Sequence, residues 1–155
     1  MRGTYTIIVE CGFEGYVAFG KLGEARLRRG RYLYTGSALG RGATSLERRL
    51  ERHGRRSKKR KWHIDYLTSK PDCGVAGAIY LVSPKRLECK VNRAISKELK
   101  LSPVLPNIGA SDCNCEGHLL GPEFHLSKTA LMRRLVSIYR RVGSPRVPVT
   151  VHSSD

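Results

Sequence analysis

Residues 32–53 read YLYTGSALGRGATSLERRLERH, and their succession decides the fold. Tyr32, Leu33, Tyr34 and Thr35 are strand formers, Gly36 permits a sharp backbone turn, and the small residues after it make a loop. Ser45 stands where an N-cap belongs, ahead of Leu46 and Leu50, one helical turn apart. The predicted unit is a strand, a glycine turn, a loop and a basic helix with one buried side. At about 100° per residue, Arg49 and His53 project about 80° and 40° from the centre of the Leu46/Leu50 stripe, whereas Arg48 and Arg52 point away from it. Arg49 and His53 are therefore expected to border the core, and Arg48 and Arg52 to face water. A tyrosine at a strand end, with an arginine and a histidine on the next helix, places three polar groups in one cleft; the alternative is an ordinary amphipathic helix with a solvated edge.

Working outward, the charge is concentrated around this unit. The chain has 155 residues, 29 Lys+Arg against 13 Asp+Glu and a formal net charge of +16. The window 41–61 holds Arg41, Arg48, Arg49, Arg52, Arg55, Arg56, Lys58, Lys59, Arg60 and Lys61 with only Glu47 and Glu51 to oppose them. Residues 128–146 add six more basic residues and no acid. The economical partner is a phosphate backbone, DNA or RNA; an anionic membrane surface or plain solubility are the other uses of such charge. No run of 18 apolar residues occurs, and the N-terminus MRGTYTIIVE has neither the apolar length nor the cleavage pattern of a leader. Five unevenly placed cysteines do not suit a fully paired extracellular framework. The expectation is a cytoplasmic chain with no membrane partner; its oligomeric state has no signal in the sequence.

TYTIIVE, 4–10, reads as a first strand and CGFEG, 11–15, as a turn. YVAFG from 16 and RYLYTG from 31, separated by KLGEARLRRG, make two more, so a three-stranded antiparallel sheet is expected. After the basic run RRSKKRK, WHIDYLTSK reads as a short helix ending at Pro71. VAGAIYLV, 75–82, is a buried strand. PKRLECKVNRAISKELK sets Leu87, Val91, Ala94 and Ile95 on one helical stripe with Pro84 at its start, Glu88 at its border and Lys90 and Arg93 outward. A Pro- and Gly-rich stretch containing CNCEGH follows, and then a helix with Leu131, Leu135 and Ile138 buried. The fold class is thus α/β (α+β): a small, mostly antiparallel, three- to four-stranded sheet flanked by helices. One domain spans 1–142, and 143–155 is a loose tail.

Taken together, Gly3-Thr4-Tyr5, Tyr34-Thr35-Gly36, Arg49-x-x-x-His53 and the distant Glu88 form an ordered set that resembles the GIY-YIG nuclease superfamily. The small stand-alone Uri-like branch is the most similar, with GKLG, WHIDYL and SDCxCxxHL blocks matched at 20–23, 62–67 and 111–119. Threonine replaces isoleucine in both triplets, which keeps a β-branched residue. The spacing from Tyr5 to Tyr34 exceeds the family's usual one, so an extra strand or hairpin must lie within 16–31.

The resemblance implies a metal-dependent endonuclease that hydrolyses DNA phosphodiester bonds. Glu88 would hold one hydrated Mg²⁺, a hard cation that needs few carboxylates. Arg49 would clamp phosphate oxygens with its planar fork. Tyr5 would orient or deprotonate the water, and Tyr34 and His53 would position phosphate or relay a proton. His63 and Asp65 are weaker candidates, since such residues are more often structural. The basic residues of 41–61 other than Arg49 would contact the nucleic acid. A second class of reading keeps the scaffold as a nucleic-acid-binding module without cleavage. A third makes Cys113, Cys115 and His118 a zinc site completed by Cys73 or Cys89; three clustered ligands fall short of the four that zinc takes, so it is not favoured.

The basic window generates one expectation directly. Affinity for DNA, followed by fluorescence anisotropy, should fall steeply between about 50 and 200 mM salt as counterions are released. Salt-insensitive binding would place the contact surface elsewhere.

Overall fold

The central strand of the molecule, β1 (Gly3–Cys11), is buried on both faces, with only Glu10 exposed. The computed structural model describes residues 1–38, 40, 45–55, 62–108 and 117–148. β1 pairs antiparallel with β4 (Gly30–Ala38) on one side and with β5 (Cys73–Val82) on the other. β6 (Leu119–Glu123) adds to β4, giving one antiparallel sheet in the order β5-β1-β4-β6. Helices flank it: α1 (Leu46–Gly54), the short α2 (Asp65–Thr68), α3 (Glu88–Leu99) and α4 (Lys128–Arg140). No helix among the described residues is long and apolar enough to cross a membrane.

Alternation along β1 divides the core. Tyr5, Ile7, Val9 and Cys11 belong to a cluster under α1 and α2, while Ile8 joins Val91, Ile95, Leu131, Leu135 and Ile138 under α3 and α4. Thr6 is a polar point between them. Its hydroxyl lies 2.8 Å from that of Thr35, its partner on β4, and 2.7 Å from that of Tyr139 on α4. Each of these three buried hydroxyls thus has a partner, as burial demands.

Four expectations need correction. YVAFG does not join the main sheet: β2 (Gly15–Ala18) pairs with β3 (Glu24–Leu27) in a separate hairpin. β1 and β4 are in register from Gly3↔Ala38 to Cys11↔Gly30, so 12–29 must leave the sheet as one insertion. The edge strand β6 comes instead from LLGPE, in the Pro/Gly-rich stretch, where glycine and proline masked the strand signal. Pro84 does not start α3, which begins at Glu88; 83–87 form a turn in which Ser83 Oγ accepts from the Lys85 N–H. Of the tail expected to be loose, Arg146 exchanges two backbone hydrogen bonds with Tyr80, of 2.9 and 2.8 Å, on the outer edge of β5. Although five cysteines do not suit a fully paired framework, Cys11 and Cys73, opposite one another at the ends of β1 and β5, are joined as a disulfide.

Gly36 has another role than the turn assigned to it. β4 continues through it to Ala38, and it sits opposite Tyr5 in the β1–β4 register. A Cβ there would come within 2.7 Å of the Tyr5 hydroxyl oxygen. Gly36→Ala should therefore displace the Tyr5 ring and cost about 1–3 kcal/mol, read as a lower urea midpoint at unchanged m.

Candidate active site

Tyr5 and Tyr34 project from neighbouring strands into the cluster beneath α1, with ring centroids 6.4 Å apart. Helix α1 starts where Ser45 caps it, its hydroxyl accepting from the Arg48 N–H, and Leu46 and Leu50 bury its inner stripe as the spacing predicted. That orientation turns His53 fully inward: it is 2 % exposed, and its Nε2 lies 2.7 Å from the Tyr5 hydroxyl. The His53 ring also stands 5.8 Å from that of Tyr34. Arg49, one turn earlier, donates from Nη1 to the Ser37 carbonyl at 2.6 Å, and its charge acts on the Tyr5 phenol. Four of the five residues singled out as catalytic therefore meet.

The fifth, Glu88, stands at the first turn of α3, where the helix dipole favours a carboxylate. It is partly exposed and close enough to act electrostatically on Tyr5, Tyr34 and His118. Burial pushes the Tyr5 phenol up to about 12; Arg49 opposes that shift, and Glu88 and Asp65 add to it. Burial likewise raises Tyr34 well above its ordinary value. Both phenols are thus neutral donors near neutral pH. At 2.7 Å the Tyr5 hydroxyl and His53 Nε2 form one hydrogen bond, whose donor is set by the imidazole tautomer.

One buried donor in the cleft lacks a partner among the described residues, Arg49 Nε. An anion entering beside Arg49 would satisfy the guanidinium. The described residues contain no group of three or more His, Cys, Asp or Glu side chains able to cage a metal. A single carboxylate beside two neutral phenols fits only an ion that keeps most of its waters, as Mg²⁺ does.

Trp62 is the residue that sequence reasoning passed over. The Arg49 and Arg52 guanidinium carbons lie 4.9 and 4.8 Å from its ring centroid, and His53 packs at 5.9 Å. Its signal was being the only tryptophan in the chain, inside the WHIDYL block beside the basic run. Arg52 corrects the helical projection: it faces Asp65 rather than water, with Nη2 2.7 Å from Oδ2. Asp65 is fully buried and also accepts the Trp62 backbone N–H at 2.9 Å, so its role here is to hold Arg52 and Trp62. His63 turns away to the Phe19 carbonyl, 2.9 Å from its Nδ1.

Of the remaining basic candidates, Arg48 is exposed and Arg55 pairs with Glu51 at the surface. Arg41, Arg56, Lys58, Lys59, Arg60 and Lys61 lie outside the described residues, as do Cys113 and Cys115. Of the third reading's ligands, His118 is buried, with Nδ1 3.1 Å from the Thr35 carbonyl and Nε2 3.8 Å from Cys89 Sγ. Cys73 is held in its disulfide and does not complete that set. Burial lowers the His118 pKa, with Glu88 and the Thr35 contact opposing.

The family model described as Domain of unknown function DUF123 matches residues 4–142, and the chain belongs to that family. No curated protein and no solved structure matches the chain.

The tyrosine cluster makes stability depend on alkaline pH. Tyr5 keeps its proton to about 12 in the fold against an ordinary 10.0, so unfolding releases a proton between those values and stability falls as pH rises through that window. Urea midpoints measured across it should drop for the wild type and drop less for Tyr5→Phe.

Proposed function

We propose that this protein is a metal-dependent endonuclease that hydrolyses DNA phosphodiester bonds, with a site of the GIY-YIG kind. The observation that carries the reading is the Tyr5–His53 contact of 2.7 Å with the charge of Arg49 acting on the same phenol. A buried tyrosine needs one partner for its hydroxyl; here that partner is a base, and a guanidinium with an unsatisfied N–H shares the cleft.

In this reading Arg49 holds the scissile phosphate through the N–H groups that face the cleft, and Tyr34 adds a neutral donor. The attacking water gives a proton to the Tyr5 oxygen as the Tyr5 proton passes to His53 Nε2, so the phenol never carries a lasting negative charge in its buried setting. The water oxygen bonds to phosphorus, the ester P–O bond breaks, and the departing oxygen takes a proton from solvent. Glu88 would hold one hydrated Mg²⁺, which when bound neutralises charge developing on the phosphate. The exposed Arg48 and Arg55, with Arg41, Arg56, Lys58, Lys59, Arg60 and Lys61, supply cations for the nucleic-acid backbone, DNA or RNA.

A second reading, a binding module without cleavage, has one observation behind it: Tyr5 raised to about 12 is a poor base unless His53 takes its proton. Substitution separates the two. With wild type cutting DNA in Mg²⁺, Glu88→Ala should abolish cleavage while DNA binding survives or tightens, because a carboxylate beside phosphates is gone. Arg49→Ala should abolish cleavage and also weaken binding. Cleavage by Glu88→Ala at the wild-type rate refutes its role; a wild type that binds and never cuts favours the binding module.

A further inference from the structure

The hairpin of β2 and β3 is unused by this chemistry, yet it is firmly built in. Val17, Phe19, Ala25 and Leu27 join the same cluster as Tyr5, Tyr34, Leu46 and Leu50, so the hairpin and α1 lie over one face of the sheet. The His63 contact to the Phe19 carbonyl fixes it to the segment that carries Trp62. Gly20 lies so close to Tyr66 that a Cβ would meet its hydroxyl at 3.1 Å.

Its outward face is unlike a hairpin surface designed only for water. Tyr16 leaves 66 % of its surface exposed and stands in register opposite Arg26, also exposed. Arg28 and Arg29 follow, both exposed, and the Arg28 guanidinium lies 5.2 Å from the ring centroid of Phe124, itself 48 % exposed. Two exposed aromatic rings, each with an arginine beside it, combine a flat surface for stacking with a charge for a phosphate. Duplex nucleic acid hides its base faces and would use only the arginines, whereas an unpaired strand offers both.

We propose that the outer face of this hairpin is a platform for single-stranded nucleic acid, with Tyr16 stacking on an unpaired base and Arg26 holding the adjacent phosphate. Arg28 and Phe124 form the next step along the strand. The inference rests on the nucleic-acid reading above and adds where an unpaired stretch of the substrate lies.

The test is anisotropy of a labelled short single-stranded DNA, and of the matching blunt duplex, with wild type, Tyr16→Ala, Tyr16→Phe and Arg26→Ala over a salt series. Tyr16→Ala should lose about tenfold in single-strand affinity, Tyr16→Phe should restore it, and duplex affinity should not change. Arg26→Ala should lower the single-strand slope of log K against log salt by about 0.7. Both side chains are exposed, so unchanged urea midpoints will verify that the variants fold. Wild-type single-strand affinity in Tyr16→Ala overturns the platform and leaves the nucleic-acid reading standing; a wild type that binds neither DNA overturns both. Equal losses in Tyr16→Ala and Tyr16→Phe implicate the hydroxyl and overturn the stacking role. Poly-glutamate binding that falls equally on Tyr16→Ala reassigns the face to an acidic protein and overturns it too.

Discussion

The Tyr5 hydroxyl is the point from which the rest of the site can be derived. It is buried on the central strand, and a phenol removed from water needs hydrogen-bond partners or costs about 1–3 kcal/mol. Its partner comes from α1, through His53, and the charge of Arg49 on the same helix acts on it. Helix α1 must therefore sit at one height and one rotation on the sheet. The Ser45 cap sets its start, and Leu46 and Leu50 set its roll. The opposing strand must in turn leave space for the ring, which Gly36 does by having no side chain. One buried hydroxyl thus links a glycine in β4, the rotation of a helix and the placement of two ionisable side chains.

A second constraint is the buried Asp65. A carboxylate with no exposure survives only if paired and hydrogen-bonded, and breaking such a pair costs about 3–5 kcal/mol. Here Arg52 and the Trp62 backbone N–H supply the partners. In meeting that demand the chain draws Trp62 beneath Arg49 and Arg52, where the indole face accepts both cations. The requirement of a buried charge beside the cleft therefore fixes a ring that touches His53 and Arg49.

Strand, helix and cap signals were legible where periodicity was strong: 4–10, 75–82, the Leu46/Leu50 stripe and the Leu131/Leu135/Ile138 stripe. What was not legible depended on contacts between distant residues. Arg52 projects to the outer side of an isolated helix, and only Asp65, thirteen positions away, turns it inward. YVAFG has the composition of a sheet strand, but the β1–β4 register leaves it no place there. β6 was hidden because an edge strand tolerates Gly121 and Pro122, residues that argue against a strand in sequence. Trp62 carried no chemistry of its own and acquires a role only through the arginines stacked on it.

The cations of α1 then divide by what holds them. Arg48 and Arg55 are exposed, so they act through a field that salt screens over about 8 Å. Arg52 is committed to Asp65 and has little freedom to follow a ligand. Arg49 belongs to neither group: one N–H goes to the Ser37 carbonyl, its plane rests on Trp62, and Nε still lacks an acceptor among the described residues. A guanidinium held by these two contacts has already lost side-chain entropy that binding would otherwise cost, about 2 kcal/mol for such a chain. The exposed arginines can attract an anion to this region, but only Arg49 is held in a geometry that fixes where the anion must stop.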